Sequence, residues 1–100
     1  MSEPSVIQVD PRDLFLPPSR IGGADPGKLM RQISAFGRST AEMPPIFCYR
    51  WPDGGLVVSD GVTRATRVAK LMPGKTVPVR VLGTVKRPRV TLPQVKDRLP

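Results

Sequence analysis

Prolines divide this chain before any hydrophobic pattern is considered. Thirteen of the 100 residues are proline, and each fixes φ and removes a backbone donor. They fall at joints. Pro11, Pro26, Pro44-Pro45, Pro52, Pro73 and Pro78 each start, stop or interrupt a patterned segment. The expectation is a compact middle of short elements with irregular flanks. A chain of 100 residues is the size of one small domain, and a 39% hydrophobic share suffices for a modest core.

Residues 5–10, SVIQVD, alternate and stop at Pro11, which predicts a strand over Val6–Val9. In the loop over 11–23, Leu14, Phe15 and Leu16 are expected to turn onto the core. Asp25 suits an N-cap, Pro26 the first helical position and Gly37 the residue after a helix end. Leu29, Met30, Ile33 and Phe36 read as the inward face of that helix, with Lys28, Arg31 and Gln32 facing out. Residues 43–61 read as a hairpin with strands Ile46–Arg50 and Leu56–Ser59 around the turn WPDGG. A second helix is predicted over Val62–Met72, with Val62, Ala65, Val68, Ala69 and Met72 inward, stopped by Pro73-Gly74. Residues 76–83 form a last strand, placed at a sheet edge because Pro78 cannot donate to a ladder. The order is strand, helix, strand, strand, helix, strand. The fold class is α+β, a small mixed sheet with two packed helices. The expected division is a domain over 1–83 and a basic, proline-containing tail over 84–100.

Sixteen Lys and Arg against eight Asp and Glu leave a net charge of +8. Five of those cations, Lys86, Arg87, Arg89, Lys96 and Arg98, follow residue 83. Such a balance favours anionic partners: a nucleotide, DNA or RNA, or an acidic protein. Cys48 is the single cysteine and there is no histidine. Intrachain disulfides, Ser-His and Cys-His nucleophile pairs and histidine-ligated zinc are therefore excluded, and no strong metal site is visible. Cys48 reads as a small buried hydrophobe. The residues MSEPSVIQVDPRD carry no apolar signal region, and no run reaches transmembrane length. No membrane partner and a cytoplasmic location are the expectations, although a toxin domain delivered by a larger machine would carry the same features.

The chemistry concentrates at SDGVTRATR, residues 59–67. A helix start offers unpaired N–H groups and a positive dipole end. Gly61 permits close approach, Thr63 adds a hydroxyl and Arg64 a forked, permanent cation, with Arg67 one turn further on the same face. A cation in a first turn opposes the helix dipole, and a bound anion would remove that conflict. Asp60 reads either as the helix cap or as a group holding Mg²⁺ beside a phosphate. Among the acids, Glu42 and Asp60 are the candidates for general-base or metal work. Arg20 and Ser19, in a glycine-flanked loop, are the remaining binding candidates. Tyr49 and Trp51 read as packing over the adjacent strand, or as platforms for a base.

The ordered set Pro18-Ser19-Arg20, Leu29–Gly37, Pro45-Ile46, Asp53-Gly54-Gly55, Gly61-Val62-Thr63-Arg64 and Val77-Pro78-Val79 resembles the ParB/sulfiredoxin family over roughly residues 6–83. The resemblance implies that the Gly-x-x-Arg turn grips nucleotide phosphates, and so a nucleoside triphosphate with Mg²⁺ as cofactor and phosphate-ester or anhydride hydrolysis as an accompanying activity. The departures are specific. Val62 stands where sulfiredoxins place their catalytic Cys, so the chain is not a sulfiredoxin. Val62 and Thr63 replace two members of the ParB Gly-Glu-Arg-Arg run, and the tail after Gly83 contains no Glu for the ParB Glu-Asn motif. Two other readings stand beside nucleotide binding: a DNA- or RNA-binding or nuclease-type toxin module, and a catalytically inactive protein-interaction domain.

Overall fold

The computed structural model describes residues 6–87 and 90–100. Strand β1 (Val6–Val9) leads through two short 3-10 turns, Pro11–Asp13 and Pro18–Arg20, into helix α1 (Pro26–Phe36). Strands β2 (Ile46–Arg50) and β3 (Leu56–Asp60), helix α2 (Val62–Leu71) and strand β4 (Val77–Thr84) follow, and a third 3-10 turn spans Val95–Arg98. The α+β class, with a mixed four-stranded sheet and two helices, is as the sequence pattern predicts.

Local signals explain most boundaries. The Asp25 carboxylate accepts from Lys28 N–H at 2.9 Å, Pro26 opens α1, and Gly37 ends it at φ 54° while donating to Ile33 O. The β2–β3 turn closes through Trp51 N–H to Gly55 O at 2.8 Å, and the Asp53 side chain accepts from Gly55 N–H at 2.9 Å. Strand β3 runs one residue beyond the expected end, and α2 stops one residue short of it.

The sheet order is β1-β4-β2-β3. Strand β4 pairs antiparallel with β1 and parallel with β2, so it lies inside the sheet. This corrects the expected edge position. Pro78 is tolerated because pairing with β2 begins at Val79, one residue later. The core joins Ile46, Cys48, Leu56, Val58, Val77 and Val79 of the sheet to Val62, Ala65, Val68 and Ala69 of α2, and Leu14, Leu16 and Val95 are buried with them. Burial pushes the Cys48 thiol up to about 12.

Two inward expectations are revised. Met30 is 70% exposed and Phe36 half exposed, because α1 packs mainly against α2 and covers only the stripe through Leu29 and Ile33. Trp51 is buried and meets Phe15 edge-on, with centroids 5.2 Å apart. Tyr49 stays partly exposed beside Gly83. Segment 93–99 returns to the core: Leu16 N–H donates to Pro93 O, Val95 N–H donates to Leu14 O, and Val95 is fully buried. Two of its cations are engaged, Lys96 with Asp13 at 3.7 Å and Arg98 donating to Ile21 O at 3.1 Å. Arg89 and the N-terminal Glu3 lie outside the described residues.

Two measurements check this packing. Val95→Ala lowers the urea-unfolding free energy by about 1 to 3 kcal/mol, whereas Val90→Ala, at an exposed position, changes it by less than about 0.5 kcal/mol. The Cys48 thiol titrates near its ordinary 9.0 when unfolded and near 12 when folded. Between those values the folded state holds the proton that the unfolded state has lost, so stability falls as pH rises. The slope approaches about 1.4 kcal/mol per pH unit, and Cys48→Ala removes that component from pH-dependent unfolding curves.

Candidate functional site

The β3–α2 junction turns on Gly61. Its φ of 115° lies in the left-handed region, and a Cβ there would stand 2.9 Å from both Arg64 Nη2 and Ile46 Cδ1. The backbone angle favours glycine, and a Cβ would in addition press the side-chain ends of Arg64 and Ile46. Gly61 is also the N-cap of α2, and no side chain caps the helix. The expected capping role of Asp60 is therefore corrected. Asp60 is the last residue of β3, its side chain is mostly exposed, and its carboxylate lies 3.9 Å from Arg64 Nη2. The first helical bond runs from Ala65 N–H to Gly61 O at 2.9 Å. The amides of Val62, Thr63 and Arg64 have no acceptor among the described residues.

The same three residues line a cleft of about 700 Å³ between α1, the 17–20 segment and the start of α2. The candidates Ser19, Arg20, Asp60, Gly61, Thr63 and Arg64 all line it. Lys28 and Arg31 line it too, from the polar face of α1. Four cations (Arg20, Lys28, Arg31, Arg64) thus face one carboxylate, Asp60. The sequence pattern presents Lys28 and Arg31 only as a solvated face. Their i, i+3 spacing puts them on one side of α1, but only the packing of α1 on α2 turns that side toward Gly61.

Arg64 has a structural anchor as well as a place in the cleft. Its Nη2 donates to Pro45 O at 3.0 Å, and its buried Nε has no hydrogen-bond partner among the described residues. Carbonyl and carboxylate together offset part of the conflict between this cation and the α2 dipole.

Arg67 is placed elsewhere. It is 1% exposed, and Nη1 donates to Gly37 O at 2.7 Å and Ser39 O at 2.9 Å. Its guanidinium carbon stands 5.5 Å from the Phe36 ring centroid. The side chain therefore binds carbonyls at the cap of α1 and just beyond it, and does not line the large cleft. Burial lowers its pKa. Glu42 is likewise separate: it borders a smaller pocket with Arg64 and Arg67, so Glu42 and Asp60 are not brought together. Among the described residues no group of three or more Cys, Asp or Glu side chains is arranged to hold a metal ion, and no helix is long and apolar enough to cross a membrane.

Replacing Gly61 tests the junction: Gly61→Ala costs about 1 to 3 kcal/mol in chemical unfolding, and the cost is not relieved by moving the residue to Asn. No protein-family model matches this sequence, and no curated protein matches it.

Proposed function

We propose that the cleft at the start of α2 binds a phosphate-bearing ligand, and that a nucleoside triphosphate with Mg²⁺ is the ligand class implied by the ParB/sulfiredoxin resemblance. One observation carries this reading: four cations line the same cleft as a helix start whose first three amides have no acceptor among the described residues. Phosphate oxygens accept from backbone amides and from forked guanidinium groups at once, and the helix dipole adds to both. Among the described residues Asp60 is the one carboxylate lining the cleft. It suits a metal held between carboxylate and phosphate, because Mg²⁺ takes one or two carboxylates and completes its shell with phosphate and water. Cleavage of a phosphate ester or anhydride in this cleft would draw on Asp60, since Glu42 borders the other pocket.

The exposure of Arg20, Lys28 and Arg31 favours a second reading. An open, basic rim also suits the phosphates of DNA or RNA, with Lys86 and Arg87 as further exposed cations.

Calorimetric titration with ATP, CTP and GTP, with and without Mg²⁺, separates the two. Nucleotide binding is expected to weaken about 10- to 100-fold in Arg64→Ala and in Arg31→Ala, the loss of one charge-assisted contact each. If wild type binds no nucleotide at millimolar concentration, or both variants bind as wild type does, the nucleotide reading fails. Oligonucleotide affinity that falls steeply with salt and is lost in the same variants would favour the second reading.

A further inference from the structure

Behind Arg64 lies a second, more enclosed pocket of about 200 Å³, whose lining includes Phe36, Ala41, Met43, Pro44, Arg64 and Arg67. Its walls are largely apolar, and its charge comes from two guanidinium groups against the single carboxylate of Glu42. The feature that neither the fold nor the cleft accounts for is one edge of Arg67. Nη1 is fully committed to Gly37 O and Ser39 O. Among the described residues, the one acceptor near Nη2 is the Met43 thioether at 3.6 Å, and the buried Nε has no hydrogen-bond partner. Nε and Nη2 are the two nitrogens with which an arginine grips a carboxylate through parallel hydrogen bonds. Arg67 makes no ion pair among the described residues although it is 1% exposed, and a buried cation with only neutral acceptors is costly.

The chain has a nearby carboxylate that it does not use. Glu42 borders the pocket, yet it is exposed, and its φ of 57° is the one positive value among the described non-glycine residues. A non-glycine residue in that region is strained.

We propose that this pocket is a site for a small carboxylate with a compact apolar body, held by the Nε–Nη2 edge of Arg67, with the Met43 thioether as the group it displaces. Phe36, Ala41 and Pro44 cover the body of the ligand, and Arg64 forms the wall shared with the cleft. Met43 suits displacement because its unbranched side chain repacks readily and a thioether is a weak acceptor. No phosphate ligand is required in the neighbouring cleft, so this site stands or falls independently of the nucleotide reading.

Benzoate is the probe, followed by residue-resolved ¹H–¹⁵N NMR that includes the arginine Nε–H signals. Saturable shifts are expected at Arg67 Nε–H and at the amides of residues 39–43, with the amides of residues 61–63 unmoved. Benzamide, which has the same shape without the charge, is expected to bind about tenfold more weakly or worse. Glu42→Gln is expected to tighten benzoate binding by removing the competing charge, and Met43→Phe to abolish it by filling the pocket. An unmoved Arg67 Nε–H signal at saturating benzoate overturns the proposal, as do shifts confined to residues 61–64. Equal affinity for benzamide also overturns it, and that comparison uses only the wild-type protein if Met43→Phe fails to fold.

Discussion

A buried guanidinium that pairs with no carboxylate among the described residues ties the two helices of this protein together. Arg67 projects from the middle of α2 and donates to the carbonyls of Gly37 and Ser39, just past the end of α1. Gly37 caps α1 and Ser39 lies two residues beyond it, so the charge is met by two backbone carbonyls of the turn that leaves the helix. Phe36 and Met43 complete the enclosure. The contact is long in sequence, 28 to 30 residues, and it sets how α1 lies against α2.

Everything in the cleft depends on that placement. Lys28 and Arg31 face Gly61 only because α1 runs beside the start of α2. Arg64, one turn before Arg67, is held from the other side by Pro45 O, at the entrance to β2. The two arginines therefore divide the work. One clasps the end of a helix, and the other stands between the cleft and the inner pocket. The sheet supplies the rigid base, since the strand before Gly61 pairs with β2 on one side and with Phe15 on the other.

Much of the fold was legible in local chemistry. Asp25, Pro26 and Gly37 bracket α1, WPDGG closes the hairpin, and Pro73-Gly74 follows the end of α2. Each of these signals acts within a few residues. The misreadings at Pro78 and Arg67 concern distant partners, and the one at Asp60 concerns the backbone angle of its neighbour. Pro78 pointed to an edge strand because a ladder position costs a donor, but β2 pairing begins one residue later. Asp60 pointed to a cap, yet the left-handed turn at Gly61 makes the glycine itself the N-cap. Arg67 read as a companion to Arg64 because they share a helix face, and carbonyls from residues 37 and 39 draw it into the interior.

The sequence alone determined the menu of elements, the glycine-led junction before α2, the lack of histidine and of an intrachain disulfide, and a charge that suits anions. These follow from backbone sterics, hydrogen-bonding capacity and composition, which need no tertiary partner. The tertiary structure decided which cations face the helix start, which one is spent on the end of α1, and that the strand bearing Pro78 lies inside the sheet. Those outcomes rest on pairings between residues far apart in the chain. Their energies arise only when the two helices and the sheet have packed, so no local pattern records them.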